Sequence, residues 1–254
     1  MTNTRTAGPA RILGLHHITL VASNAQRTAD FYTRVLGLRL VKTTVNFDDP
    51  GSYHLYFADE GGNTGTVITF FEWPGALRGR PGIGGTHHDD PGKRHWSWGA
   101  ADARPGSLIT YLERDATDRR ASMSSGQGHH YALAVADDVS QAEFRDRLLS
   151  AGLPASPVMD RVYFRSVYTR DPDGHIVELA TTGPGFLVDE PAETTGDTLR
   201  LPPWLESHRD DISERLTGLE RRGWPNDGSN PERGVMSHPR AAVHASDEAA
   251  GAAE

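Results

Sequence analysis

The chain has 254 residues, a formal net charge of −8 and no cysteine. This length allows one large domain or two small ones. The acidic balance, without a basic stripe, argues against a nucleic-acid partner, and the lack of cysteine excludes disulfides and thiolate metal ligands. Because the pattern shows neither a secretory leader nor an apolar run of about 20 residues, it predicts a cytoplasmic protein with no membrane partner.

The first predicted unit covers residues 12–73 and has the order strand, helix and three strands. Its opening strand, 13–22, alternates between apolar and polar side chains, as a half-buried strand does. Asn24 is a typical helix N-cap before a predicted helix over 25–35, and Gly37 marks the end of that helix. Apolar runs between turn-forming residues predict the other strands at 39–45, 53–58 and 66–71.

Residues 74–127 interrupt this pattern and are predicted to be an insertion or linker. The stretch begins with a loop rich in glycine and proline at 78–85. The remainder is polar and mixed, with only a weak helical pattern near 107–114. So long an excursion within a compact domain is unusual and often functional, although its role stays open here.

A second unit, 128–182, repeats the order strand, helix and strands. The turn-forming sequence Asp-Pro-Asp-Gly at 171–174 precedes its last strand. A proline-rich C-terminal extension, 183–222, is predicted to contain one short helix over 204–221. The tail 223–254 has no amphipathic period, and its composition predicts disorder.

Both units begin with a His-His doublet at the start of an alternating strand. An internal repeat indicates the fold more strongly than a single motif does. It also places His17, His130 and Glu178 at matching strand positions, while Thr69 takes the place of Glu178 in the first unit. Two imidazoles and one carboxylate are the set that holds a divalent metal with open coordination positions. We therefore predict a metal site built from these three residues.

Alternatives to this ligand set remain open. His88 also closes a doublet, and it is a rival to His130, although Asp-Asp-Pro-Gly follows it instead of a strand. Strand alternation places His16 and His129 on the face opposite the ligands, where structural hydrogen bonding is the simpler interpretation. His54 is most simply a strand residue.

These segments resemble the vicinal oxygen chelate superfamily, which includes glyoxalases, bleomycin resistance proteins and extradiol dioxygenases. The similarity is greatest to ring-cleaving dioxygenases of the hydroquinone type. The matching stretches are GLHHITLVASNAQRTADFYTRVLGLRLVKTTVNFDDPGSYHLYFADE, GTVITFFEWPGALRGRPG and DRVYFRSVYTRDPDGHIVELATTGPGFLVDEP. The resemblance implies an α+β fold in which two βαβββ units pair into a barrel-like cavity. Larger members of the family have four such units, and this chain has two.

The resemblance also implies a site and an activity. The metal would be iron(II), or alternatively manganese(II), bound by His17, His130 and Glu178. Five further functional groups are implied around it: His16, Thr19, His129, Arg161 and Tyr168. The implied reaction opens a hydroquinone- or catechol-like ring, with a small aromatic substrate and O₂ as partners. Such a metal lowers the pKa of a coordinated phenol, and Arg161, His129 or Tyr168 would stabilise anionic charge or move protons.

Other interpretations stay open at this point. Arg161 could instead be a surface ion-pair partner and Tyr168 a core residue. A glyoxalase-like isomerase or transferase usually has a fourth protein ligand in the first unit, and Thr69 at that place counts against it. A non-catalytic drug-binding protein needs no metal, and the intact triad counts against that. A homodimer is compatible with the sequence.

Overall fold

The computed structural model describes residues 10–83, 85, 94–99, 108–113, 115 and 117–220. His88 and the tail 223–254 lie outside these described residues, so the structure does not test the predictions for them. Within the described ranges, no helix is long and apolar enough to cross a membrane.

Within the described residues, the first unit contains one α-helix, a π-helical turn and four strands. Their bounds are β1 (Gly14–Ala22), α1 (Ala25–Asp30), a π-helical turn (Phe31–Val35), β2 (Arg39–Asn46), β3 (Asp49–Ala58) and β4 (Val67–Glu72). The predicted N-cap is confirmed: Asn24 is extended, and its Oδ1 accepts a hydrogen bond from the backbone N–H of Arg27 at 2.8 Å. The helix predicted over 25–35 is present, and its second part has π-helical hydrogen bonding.

The region between the two units contains a two-stranded antiparallel sheet, formed by β5 (His95–Gly99) and β6 (Leu108–Leu112). The weak helical prediction near 107–114 is therefore wrong. The sequence of β6, Leu-Ile-Thr-Tyr-Leu, is rich in β-branched and aromatic residues, which favour strands over helices.

The second unit repeats the order of the first. Its elements are β7 (Gly128–Val135), α2 (Asp138–Ser150), β8 (Met159–Asp160), β9 (Arg165–Arg170) and β10 (Ile176–Thr181). The side chain of Asp137 caps α2 by accepting from the backbone N–H of Ser140 at 2.8 Å.

Eight strands form one mixed sheet in the order β2-β3-β4-β1-β7-β10-β9-β8. The two central strands, β1 and β7, are antiparallel, and each lies parallel to the last strand of its own unit. The order is symmetrical about the centre, and the sheet curls into a half-barrel. The predicted fold class, two βαβββ units paired around a barrel-like cavity, is confirmed. The domain limits at 12–73, 74–127, 128–182 and 183–222 stay predictions.

The strand register matches the two units residue by residue. His17 lies opposite Val67 in the β1–β4 pair, and His130 lies opposite Ile176 in the β7–β10 pair. Thr69 and Glu178 each follow two positions later in these pairs. Because side chains alternate between faces, each occupies the same face as the histidine of its unit.

Two clusters of the apolar core lie on the outer face of the sheet. One cluster packs β2, β3 and β4 against α1 and consists of Ala22, Ala25, Ala29, Leu40, Tyr53, Leu55, Phe57 and Phe70. A second cluster packs β9 and β10 against α2 through Val135, Val167 and Leu179. Because Leu55 and Phe57 face α1, their neighbours His54 and Tyr56 face the inside of the half-barrel.

The C-terminal extension contains two 3₁₀ turns, Phe186–Val188 and Glu206–His208, and the short helix α3 (Arg209–Arg215). This helix is shorter than the one predicted over 204–221. It ends at Leu216, which is extended, and the hydroxyl of Thr217 donates to the buried carboxylate of Glu72 at 3.2 Å. A tertiary hydrogen bond thus replaces the continuation of the helix.

Candidate metal centre

Three buried side chains, His17, His130 and Glu178, converge on the inner face of the half-barrel. The Nε2 atoms of the two histidines are 3.3 Å apart. Oε2 of Glu178 lies 2.9 Å from Nε2 of His130 and 3.4 Å from Nε2 of His17. Donor atoms at right angles and about 2.1 Å from one ion lie about 3.0 Å apart. These separations therefore fit a divalent metal held on one side by three protein ligands.

The two oxygens of Glu178 differ in their surroundings. Oε1 accepts a short hydrogen bond from the hydroxyl of Ser166. Oε2 is fully buried and has no hydrogen-bond partner, although two ring nitrogens lie close to it. A buried carboxylate oxygen without a donor is costly, and a cation between these atoms would remove that cost. The residues present therefore fit a divalent metal.

The charge of Glu178 also suits this role. Burial by itself raises the pKa of the carboxyl group, but the neighbouring rings of His17 and His130 outweigh burial. The pKa consequently lies well below its ordinary value, and Glu178 is a carboxylate. Burial lowers the pKa of His130 despite its contact with Glu178, which favours the neutral ring that a metal ligand requires.

The doublet of β1 fixes which ring nitrogen of His17 faces the site. Nε2 of His16 lies 3.2 Å from the carbonyl oxygen of Thr181, and Nδ1 of His16 lies 2.9 Å from Nδ1 of His17. A carbonyl only accepts, so we assign the proton of His16 to Nε2, and its Nδ1 then accepts from Nδ1–H of His17. The Nε2 lone pair of His17 is thereby directed at the site. Burial lowers the pKa of His16 to about 3, which keeps that ring neutral.

The doublet of β7 has the same arrangement. Nδ1 of His129 lies 2.8 Å from Nδ1 of His130, whose Nε2 faces Glu178. Burial, followed by the charge of His130, lowers the pKa of His129 to about 4. In each doublet the second histidine is the candidate ligand, and the first histidine contacts the Nδ1 atom of that ligand ring.

The prediction that His16 and His129 face away from the ligands is wrong. In the β1–β7 pair, Leu15 lies opposite Leu133 and His17 lies opposite Ala132, so His16 has no partner residue on β7. His129 likewise has no partner residue on β1. Both residues are thus the extra residue of a register shift. A β-bulge turns a side chain away from strict alternation, and here it brings each first histidine against the second.

Arg161 and Tyr168 lie together beside this centre. Nε of Arg161 donates to the Tyr168 hydroxyl at 3.3 Å, and its Nη2 pairs with Asp48 at 2.9 Å. The Tyr168 ring lies 5.9 Å from the ring of His130 and opposite Glu178 in the β9–β10 pair. Burial raises the pKa of Tyr168, so its hydroxyl keeps its proton. Arg161 therefore has a surface carboxylate partner as well as a partner beside the centre.

A second set of polar groups near the centre was not foreseen. His54 and Tyr56 on β3 are buried and hydrogen-bond to each other, and His54 also hydrogen-bonds to Thr69. Thr69 in turn donates to Thr19, whose Oγ1 lies 2.9 Å from Nε2 of His130. The signal in the sequence was a histidine and a tyrosine two positions apart in a strand that is otherwise apolar on both sides. The strand pattern by itself predicts only a structural position for His54.

Comparisons with known proteins agree with this arrangement. A family model described as the "Glyoxalase/Bleomycin resistance protein/Dioxygenase superfamily" matches residues 14–179. A Bacillus subtilis (strain 168) protein named "Putative ring-cleaving dioxygenase MhqO" is 32% identical over 306 residues, covering 84% of this chain and 98% of the relative. Its counterpart named MhqE is 31% identical, covering 81% of this chain and 99% of the relative. The MhqO alignment has more positions than this chain has residues, so that relative carries residues without a counterpart here.

A local match and a solved structure add to these. A Sphingobium indicum protein named "Chlorohydroquinone/hydroquinone 1,2-dioxygenase" is 47% identical over 64 residues, which are 25% of this chain and 20% of that protein. The crystal structure titled "putative dioxygenase from Bacillus subtilis subsp. subtilis str. 168" superposes with a TM-score of 0.72 at 29% identity, covering 83% of this chain and 98% of the other. The family match spans more than half of the sequence, and the chain belongs to the glyoxalase/bleomycin resistance protein/dioxygenase superfamily.

Proposed function

We propose that the protein is a metal-dependent dioxygenase that opens a hydroquinone- or catechol-like aromatic ring with O₂. The observation that carries this proposal is the buried set of His17, His130 and Glu178, with the unpartnered Oε2 of Glu178 facing both imidazoles. The relatives named as ring-cleaving dioxygenases support the same reaction class. The partners are accordingly a small aromatic substrate and O₂.

Held by these three residues, a divalent ion would keep coordination positions open, as a catalytic site requires. We propose iron(II) as the metal, with manganese(II) as the alternative. When bound, such an ion supplies the redox chemistry with O₂ and lowers the pKa of a coordinated phenol. His16 and His129 hold the Nδ1 atoms of His17 and His130, which would keep both Nε2 lone pairs available to the ion.

Groups around the centre act on the substrate. The guanidinium of Arg161 is permanently charged and lies beside Tyr168, where it would stabilise the anionic charge of an ionised phenol. The protonated hydroxyl of Tyr168 would donate a hydrogen bond to the same oxygen or return a proton to the product. Thr19, next to His130, would orient the bound oxygen of the substrate.

One observation argues against an isomerase or transferase of the glyoxalase type. Thr69 stands at the register position of Glu178, where a fourth ligand would come from the first unit. Its hydroxyl donates to Thr19 at 2.8 Å and also lies 2.9 Å from His54. A hydroxyl engaged in this way does not supply an anionic fourth ligand.

The test is metal analysis combined with oxygen uptake. Protein purified without air should hold one divalent ion per chain, and it should consume O₂ stoichiometrically with a hydroquinone or catechol. Glu178→Gln should lose most of the metal, whereas Glu72→Gln, which alters a buried carboxylate that caps α1, should keep it. Metal retained in Glu178→Gln would overturn the ligand assignment. An iron-replete sample that consumes no O₂ with any phenol would overturn the reaction.

A further inference from the structure

A continuous row of hydrogen bonds crosses the inner face of the sheet from β3 to β1. The Tyr56 hydroxyl lies 2.9 Å from Nδ1 of His54, and Nε2 of His54 lies 2.9 Å from Oγ1 of Thr69. Thr69 donates to Oγ1 of Thr19 at 2.8 Å, and that oxygen lies 2.9 Å from Nε2 of His130. All of these side chains are buried. We call the four residues Tyr56, His54, Thr69 and Thr19 the inner chain.

The protonation states give the inner chain one direction. Burial raises the pKa of Tyr56 well above its ordinary value and lowers that of His54 well below it, so Tyr56 is protonated and His54 is neutral. Tyr56 can then donate to Nδ1 of His54, and Nε2–H of His54 donates to Thr69. Each hydroxyl has one hydrogen. Since Thr69 gives its hydrogen to Thr19, the hydrogen of Thr19 is left for an acceptor at the metal site.

That acceptor changes when an ion binds. In the structure the hydroxyl of Thr19 lies against the Nε2 lone pair of His130, which is the lone pair that a metal would occupy. Thr19 still accepts from Thr69, so it cannot turn its hydrogen back along the inner chain. Its hydrogen must then go to an oxygen bound beside His130. A charged acceptor forms the stronger hydrogen bond, so this donor favours an ionised phenol over a neutral one.

We propose that Tyr56, His54 and Thr69 are positioning residues that make the hydroxyl of Thr19 an obligate hydrogen-bond donor to a phenolate oxygen at the metal centre. This inference rests on the proposed function, because it requires a phenol as the ligand. It assigns a role in substrate binding to β3 and β4, which supply no candidate metal ligand.

The test uses pairs of variants that break or preserve the inner chain. Thr69→Val and His54→Leu remove the donors, while Thr69→Ser and His54→Gln retain a donor and an acceptor at nearly the same places. The matched control is Thr33→Val, because Thr33 is also buried but donates to the carbonyl of Ala29 within the first helix. Each protein is loaded with iron(II) without air and titrated with 4-nitrocatechol, whose visible spectrum reports its ionisation.

We expect Thr69→Val and His54→Leu to hold iron as the wild type does. They should bind the probe roughly tenfold more weakly, since the hydroxyl of Thr19 is no longer held as a donor to the charged oxygen, and the spectrum of the bound probe should shift towards the protonated form. Thr69→Ser and His54→Gln should recover most of the probe affinity and of the probe ionisation, and Thr33→Val should match the wild type in both. A purely structural role would not change the ionisation of the bound probe.

Two results would overturn this inference without affecting the proposed function. One is unchanged probe affinity and ionisation in both breaking variants. The other is loss of iron from them, because the inner chain would then support His130 and not the donation by Thr19. If Thr69→Val folds poorly, the His54 pair decides between these outcomes. Wild-type protein that takes up neither iron nor the probe would instead overturn the proposed function, and this inference with it.

Discussion

The two rings of each His-His doublet have different positions relative to the candidate metal centre. The second histidine directs Nε2 at the centre, and the first fixes the Nδ1 side of the same ring. In the β1 doublet, a backbone carbonyl of Thr181 in turn holds His16. Metal-binding histidines depend on such outer hydrogen bonds for their tautomer and ring orientation. The repeat in the sequence therefore encodes both the candidate ligands and the rings that hydrogen-bond to them.

The choice between His130 and the rival His88 can be tested by removing each ring. His130→Ala should abolish metal binding and turnover, because only His17 and Glu178 then remain to hold the metal. His88→Ala should leave both nearly unchanged. Metal content by elemental analysis and oxygen uptake are the measurements. The opposite result would show that the second ligand comes from the segment near residue 88.

Buried neutral imidazoles predict a defined pH dependence of stability. In the unfolded chain a histidine has a pKa of about 6.5, whereas burial lowers the pKa of His16 to about 3 and that of His129 to about 4. Below about pH 6.5 the unfolded state therefore binds more protons than the folded state, and the free energy of unfolding falls as the pH falls. Above about pH 6.5 these two groups contribute no pH dependence.

The expected slope is up to about 1.4 kcal/mol per pH unit for each imidazole that stays neutral, and less for the partly exposed His129. Urea unfolding of the metal-free protein between about pH 7.5 and pH 4.5 measures it. His129→Gln should make the curve shallower over the same range. A free energy of unfolding that does not change between about pH 6.5 and pH 5 would contradict the prediction.

At the scale of secondary structure, the repeat was sufficient to predict most strands and both capped helices. The apolar period of a segment predicts a helix or a strand because one face of that element is buried, and turn residues mark where the element ends. The two register shifts between β1 and β7 carry no such signal. A bulge depends on how two distant strands pair, so strict alternation misplaced His16 and His129. The inner chain was missed for a related reason, since it joins residues of three strands whose pairing the sequence does not state.

The cap of the first helix offers a test at this scale. Asn24→Ala removes the side-chain oxygen that accepts from the backbone N–H of Arg27, and it should lower the free energy of unfolding by about 1 kcal/mol. Asn24→Asp keeps the side-chain acceptor and should change the free energy of unfolding little. Chemical denaturation with metal-free protein measures both changes. Equal stability of the alanine and aspartate variants would show that this cap does not contribute.

Considered as a whole, the molecule completes its eight-stranded half-barrel although a relative carries residues that this chain lacks. The C-terminal extension returns to the first unit and is fixed there by buried charges. Nζ of Lys42, on β2, pairs with Asp189 at 2.6 Å and with Glu190 by a shorter contact. The ammonium group also lies 4.7 Å from the ring centre of Tyr163, whose hydroxyl donates to Asp189 at 3.1 Å. This group of charges joins β2 to the C-terminal extension.

Removing the cation of this group should destabilise the whole molecule. The side chains of Lys42 and Glu190 are 0% and 1% exposed, and breaking a buried pair typically costs about 3–5 kcal/mol because one charge is left uncompensated. Lys42→Met should lower the free energy of unfolding by an amount towards the lower end of that range, since Arg200 still lies 3.2 Å from Glu190.

Two further variants show whether the uncompensated charge is the cause. Lys42→Met combined with Glu190→Gln should recover part of the loss, because neither charge then remains alone in the interior. Arg147→Met, which removes a solvent-exposed partner of Glu143 on α2, should cost less than about 1 kcal/mol. Urea unfolding of the four proteins measures these differences. If Lys42→Met costs no more than Arg147→Met, the buried charges do not hold the extension, and its apolar contacts through Leu201 and Ile212 with Val45 must do so.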